Sequence, residues 1–163
     1  MKKGEKTMFG NSNKKKLLAV ADGMALPLED VPDPAFSGKM LGDGFAVEPS
    51  VGVFYSPVDG RVESVTDTRH AYSIRSDDGL DILVHIGIDT VELKGKGFSS
   101  LVAAGDRVKA GEPIARADLD LIRAGGLPTI TPVLVSNTEE LGAFELSLGE
   151  VKGGASAVLR YRK

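Results

Sequence analysis

His70 and His85 are the only histidines in a chain that has no cysteine. A neutral imidazole offers one N–H donor and one nitrogen lone pair. Two imidazoles brought together therefore support three kinds of chemistry. They can be two ligands of a metal, an acid/base pair, or a nucleophile beside a donor that stabilises the group it carries. A fourth reading is structural, with both rings merely filling a sheet face. Without cysteine, disulfides, thiolate metal sites and thiol catalysis are excluded. A catalytic zinc needs a third protein ligand; Asp81 and Asp89 fall on the strand face expected for His85, but no HxH or HExxH arrangement occurs. The nucleophile reading is physically coherent. Thr68, two positions before His70, is placed to fix one nitrogen of that ring with its hydroxyl, and a backbone carbonyl near Gly87 is placed to fix one nitrogen of His85. Partly apolar surroundings disfavour imidazolium and keep the nucleophile neutral. Phosphoryl transfer suits such a pair, because its catalysis is mainly positioning and charge stabilisation.

The element that must position the pair is the stretch from His70 to Gly95, HAYSIRSDDGLDILVHIGIDTVELKG. Its two halves read as strands and SDDG as the turn. A two-residue loop at Asp77-Asp78 sets Ser76 opposite Gly79, Tyr72 opposite Leu83 and His70 opposite His85. Turning at Asp78-Gly79 makes the two histidines diagonal neighbours on one face. A three-residue loop disturbs this parity unless a bulge restores it. On this alternation Tyr72, Ile74 and Leu83 share the histidine face. Ala71, Ile82, Val84 and Ile86 then point to the core.

The rest of the chain reads as short strands and turns. Residues 1–16 are polar and basic and are expected to form a disordered tail. The alternative for this tail is weak attraction to an anionic membrane surface, at about 1 kcal/mol per lysine. A single domain is expected over 17–163. LLAVADGMALPL (17–28) resembles FYSPVDGRVESV (54–65), each with an Asp-Gly pair that predicts a hairpin turn. AGDRVKAGEPIA (104–115) repeats the style, and together they suggest an internally duplicated β unit. Pro32 and Pro34 rule out regular helix over 29–49. Phe36, Met40 and Leu41 in that segment either pin a loop to the core or form an exposed apolar rim. Short helical turns are expected at 118–124 and 137–141, and strands at 129–135, 143–148 and 157–161. The predicted class is all-β, an antiparallel sandwich or barrel-like fold with one or two very short helices. Net charge is −3, so no basic field for nucleic acid exists. No apolar run reaches membrane-spanning length and no signal-peptide pattern appears, which makes the cytoplasm the default compartment.

At VHIGIDTVELKGKGF (84–98) the pattern resembles the glucose-type EIIA family of the bacterial phosphoenolpyruvate:sugar phosphotransferase system. EDVPDPAFSGKMLGDGFAVEP (29–49), SPVDGRVESVTDTRHAYSI (56–74), GDRVKAGEPI (105–114) and TPVLVSN (131–137) extend the resemblance over 17–163. The resemblance implies a β-sandwich phosphocarrier with a phosphohistidine intermediate. His85 takes the place of the phosphoryl acceptor, at Nε2, and His70 that of the neighbour that supports the phosphoryl group. Thr68 and Gly87 match the residues that orient the two rings. Phe36, Met40, Leu41, Val65, Leu83 and Val91 match an apolar depression on which partners dock, with Asp33 and Asp89 acidic at its rim. The implied partners are HPr as phosphoryl donor and the IIB domain of a sugar permease as acceptor. An alternative within the family is a regulatory module whose phosphorylation state controls transporters or metabolic enzymes. No cofactor is implied, although a regulatory zinc between His70 and His85 is a family possibility. The initiating Met and the tail point to a free-standing protein.

Overall fold

Short alternating runs punctuated by Gly and Pro give fourteen strands and two very short α-helices in a computed structural model, which describes residues 14–162. The strands are β1 (Lys14–Leu18), β2 (Gly23–Pro27), β3 (Asp43–Pro49), β4 (Val53–Tyr55), β5 (Gly60–Val65), β6 (Ala71–Ser76) and β7 (Asp81–His85). They continue as β8 (Phe98–Ser100), β9 (Arg107–Val108), β10 (Pro113–Ala117), β11 (Thr131–Val135), β12 (Phe144–Leu146), β13 (Gly149–Val151) and β14 (Ala157–Arg162). The helices are α1 (Pro34–Ser37) and α2 (Leu119–Ala124). Each strand pairing is antiparallel. The all-β expectation therefore holds. Among the described residues, no helix is long and apolar enough to cross a membrane.

The duplication is real, but its hairpins are not. One sheet has eight strands in the order β13-β2-β3-β11-β7-β6-β5-β9; the others have the orders β1-β14-β12 and β4-β10-β8. The eight-stranded order is matched end to end: β13 with β9, β2 with β5, β3 with β6, β11 with β7. Asp22-Gly23 carries the chain from β1 in one sheet to β2 in another, and Asp59-Gly60 does the same between β4 and β5. Both pairs are corners between sheets, not hairpin turns. Equivalent bonds hold the two corners. Asp22 Oδ1 accepts from the Gly153 amide and Asp59 Oδ1 from the Ala110 amide, both at 2.8 Å. The duplicate of 104–115 is thus GEVKGGASAV (149–158), whose likeness is hidden by short, glycine-rich composition.

Gly111 and Gly154 meet where the two halves cross. A Cβ on Gly111 would lie 2.7 Å from the carbonyl oxygen of Gly154, and Gly111 has φ +88°. Steric conflict and left-handed strain therefore add. Gly111→Ala is expected to cost about 2–3 kcal/mol, read as a lower urea midpoint with the histidine spectra unchanged. An unshifted midpoint would refute the close crossing.

Three further expectations need correction. Pro34 does not prevent helix: it occupies the first position of α1, where a missing N–H costs nothing, and Asp33 caps the turn by accepting from the Ala35 amide at 3.0 Å. The strand β1 begins at Lys14 and pairs with β14, so Lys14–Lys16 belong to a sheet and not to the tail; residues 1–13 lie outside the described residues. The β6–β7 hairpin has a three-residue loop, Asp77-Asp78-Gly79, with Gly79 at φ +98°. Its register pairs Ala71 with His85 and Tyr72 with Val84, one step from either predicted pairing.

That step reverses β6. Tyr72 and Ile74 lie in the main core beside Ile82, Val84 and Ile86, while Ala71 faces His85. Alternation along the sheet also builds a second apolar cluster. Phe45, Val47, Val133 and Val135 enter the main core. Their neighbours Ala46 and Leu134 point the other way and pack with Leu28, Val31, Phe36, Ile88 and Ile130, and Leu83 packs against them. This second cluster is the bed of the histidine site.

Candidate functional site

The two imidazoles meet despite the altered register. Their ring centroids are 4.9 Å apart and their planes cross at 80°. His85 ends β7 on the outer face with Leu83. His70 lies just before β6, outside strand alternation, at the exit of a reverse turn. In that turn the Arg69 amide donates to the Thr66 carbonyl at 2.8 Å, and Arg69 has φ 60°. The His70 carbonyl then accepts from the Ile86 amide at 2.7 Å, tying the turn to the residue after His85. So the pair is joined by a turn-to-strand contact and not by two facing strand positions.

Each ring is fixed at Nδ1. The His85 Nδ1–H donates to the Gly87 carbonyl at 2.7 Å. A carbonyl only accepts, so the neutral ring keeps its proton there and its lone pair on Nε2. Gly87 has φ +73°, and a Cβ on it would lie 2.6 Å from Thr90 Cγ2. Only glycine turns the carbonyl back toward the ring at this point. The Thr68 hydroxyl lies 2.6 Å from Nδ1 of His70. Thr66, which strand reasoning passes over, accepts from the amides of both His70 and Ala71 at 3.1 Å. The spacing TDTRH, a hydroxyl on alternate residues before the histidine, was its only trace in the sequence.

Phe36 packs on His85 with centroids 5.1 Å apart and is 6% exposed. Met40, Leu41 and Val91 are 77%, 47% and 52% exposed. The two alternatives for the 29–49 segment thus divide between its residues: Phe36 pins it, while Met40 and Leu41 stand in solvent. Leu83 is half-buried beneath. Val65 faces Tyr72 across β5–β6 and packs against the main core instead of the cluster under the histidines. Asp89 is exposed with φ 60° and Asp33 is half-buried.

Burial pushes His85 below the ordinary imidazole value, while the Gly87 carbonyl and the carboxylates of Asp33 and Asp89 pull the other way. His70 is 7% exposed. Burial, and secondarily the neighbouring His85, push it down to about 4. Both rings are therefore neutral at neutral pH. The unfolded chain protonates His70 near 6.5, whereas the folded chain resists until about 4. The unfolded state binds more protons between those values, so stability is full above about 6.5 and falls as pH drops toward about 4. The contribution of this ring is at most about 3 kcal/mol. Urea unfolding across that window should show the fall, and His70→Gln should flatten it relative to the parent. Equal slopes would count against a buried neutral His70.

Among the described residues, no group of three or more His, Asp or Glu converges as a metal site requires. Each histidine has Nδ1 engaged, and Nε2 has no hydrogen-bond partner among the described residues. The pair fits a zinc only as two of its ligands, with the remainder supplied from outside the described residues.

Residues 15–141 match the family model for the phosphoenolpyruvate-dependent sugar phosphotransferase system, EIIA 1. The chain is 40% identical over 147 residues to a PTS system glucose-specific EIIA component of Bacillus cereus, covering 88% of this chain and 89% of that one. It is 49% identical over 131 residues to a PTS system glucose-specific EIICBA component of Streptococcus pneumoniae, covering 80% of this chain and 18% of that much longer protein. Among solved structures, the glucose permease IIA from Mycoplasma capricolum superposes with a TM-score of 0.84 at 34% identity, covering 95% of this chain and 99% of that one.

Proposed function

Because this chain belongs to the EIIA type 1 family of the phosphoenolpyruvate-dependent sugar phosphotransferase system, we propose that it is a phosphocarrier that accepts a phosphoryl group from phospho-HPr on His85 and passes it to the IIB domain of a sugar permease. The observation that carries this reading is the 2.7 Å bond from His85 Nδ1–H to the Gly87 carbonyl. It leaves one lone pair, on Nε2, beside a second imidazole.

The steps balance without a cofactor. Nε2 of His85 attacks phosphorus in line, an N–P bond forms, and the bond to the donor histidine breaks. The Gly87 carbonyl keeps the Nδ1 proton in place, so the phosphorylated ring carries positive charge. It departs in the next step as a neutral imidazole, a good leaving group. His70 donates a hydrogen bond to the phosphoryl oxygens and so stabilises their charge in both steps. Asp33 and Asp89 steer a basic donor surface. Phe36, Met40, Leu41, Leu83 and Val91 provide an apolar contact that excludes water from the N–P bond once a partner docks. The names of the relatives favour a glucose-type system, and the EIICBA relative favours a permease B domain as the acceptor. This reading places the chain in the cytoplasm, at the inner face of the membrane during transfer.

Exposed Met40, Leu41 and Val91 also suit a regulatory docking role for the same face. The test is incubation with enzyme I, HPr and labelled phosphoenolpyruvate. An acid-labile, base-stable label on the chain, mapped by mass spectrometry to His85, is the expected result. A chain that stays unlabelled while HPr is labelled rejects the phosphocarrier reading and leaves only docking.

A further inference from the structure

We propose that Thr66 is a positioning residue that fixes the tautomer of His70, holding its proton on Nε2. The Thr68 hydroxyl, 2.6 Å from Nδ1, cannot decide this alone, because a hydroxyl that is free to rotate donates or accepts equally well. Thr66 is different. A hydroxyl has two lone pairs and one proton, and both lone pairs of Thr66 are taken by backbone amides, those of His70 and Ala71, each at 3.1 Å. Its proton is left to donate. Among the described residues, the two acceptors in reach are Nδ1 of His70, at 3.4 Å, and the Ala71 carbonyl, at 3.5 Å. That carbonyl already accepts from the Thr66 amide at 3.1 Å.

Thr66 therefore faces His70 as a donor only. A proton on Nδ1 would point at two threonine hydroxyls, one of which has no lone pair to receive it. With the proton on Nε2, Nδ1 accepts from Thr68 at short range and from Thr66 at longer range. Nε2–H is then the group that His70 presents outward. The same hydroxyl closes the turn that brings His70 to His85, so one side chain sets both the position and the proton of the ring. This assignment draws its purpose from the phosphocarrier reading, since a phosphoryl group on His85 needs a donor opposite it. Its test does not depend on that reading.

The test is nitrogen-15 imidazole spectroscopy of the full chain at neutral pH, without phosphorylation. The parent is expected to show His70 protonated at Nε2 and bare at Nδ1. Thr66→Val, which keeps the shape at an exposed position, is expected to give shifts averaged between tautomers, and Thr66→Ser to restore the parent pattern. A merely structural role would move backbone amide shifts without moving this equilibrium. The proposal is overturned if the parent carries the His70 proton on Nδ1, a result that needs no variant, or if Thr66→Val keeps the parent tautomer. In the labelling assay, Thr66→Val should slow onward transfer about fivefold, as expected for one lost hydrogen bond. If the parent takes no label, the phosphocarrier reading falls while the imidazole spectra still decide the role of Thr66.

Discussion

His85→Gln is expected to reduce labelling by phospho-HPr to background, with folding intact. Glutamine keeps roughly the size of the ring and a polar end, so the half-buried site next to Phe36 stays filled. It has no nitrogen lone pair to offer, because the amide nitrogen is conjugated with its carbonyl. No thiol and no unengaged imidazole stands by to replace the lost nucleophile. The chain has no cysteine and only one other histidine. His70 has its Nδ1 engaged by Thr68 at 2.6 Å, and on the reading above its Nε2 bears the proton, leaving it no lone pair for attack. The measurement is label per mole of protein after incubation with enzyme I, HPr and labelled phosphoenolpyruvate, with circular dichroism as the check on folding. Label retained on His85→Gln at more than a few per cent of parent, wherever it maps, would remove His85 from the acceptor role.

The site was legible in the sequence further than the geometry that makes it. His70, His85, Thr68 and Gly87 come together, yet the histidines do not meet across facing strand positions. A two-residue loop sets them opposite or diagonal, whereas Asp77-Asp78-Gly79 forms a loop of three, the case that disturbs this parity. The rings still meet because His70 is not in a strand at all. The turn from Thr66 to Arg69, with Arg69 at φ 60°, resets the direction of its side chain. A residue other than glycine in left-handed backbone is not readable from local propensity. Three of the four such residues among those described, Lys39, Arg69 and Asp89, lie beside Met40, His70 and the loop after His85. Backbone strain gathers where the fold must aim side chains that cannot be aimed by strand alternation.

The same limit explains the Asp-Gly pairs. Two residues that permit a tight reversal look alike whether the strands they join pair together or part to different sheets. What separates the cases is the third segment that caps each corner, Gly153 for Asp22 and Ala110 for Asp59. Those partners lie far along the chain, and no local window contains them. The apolar bed of the site was half legible for a related reason. Phe36 and Leu83 stand out as large apolar residues near the histidines. Ala46 and Leu134, which complete the bed with Ile130, are strand residues whose facing is known only once β3 and β11 are set in register.

Replacing His70 should separate the two halves of the transfer. His70→Ala is expected to take up label on His85, more slowly than the parent, and to lose onward transfer to the IIB domain by about 10²–10³-fold, the usual cost of removing one preorganised donor from a developing anion. The asymmetry follows from what each step can borrow. During uptake, the donor complex brings its own groups to the phosphoryl oxygens and His85 supplies the lone pair, both of which survive the substitution. During onward transfer, the N–P bond of His85 must break while charge builds on oxygens that His70 would have bonded. His70→Gln is the sharper variant, since its amide N–H can stand in for Nε2–H without being able to exchange protons. If donation alone is needed, His70→Gln should recover most of the onward rate. If proton exchange is needed, it should resemble His70→Ala. The measurement is single-turnover loss of label from the isolated phosphorylated chain to a IIB domain. A parent-like rate for both variants would make His70 a packing residue only. In that case the 4.9 Å approach of the two rings would serve the fold and not the chemistry.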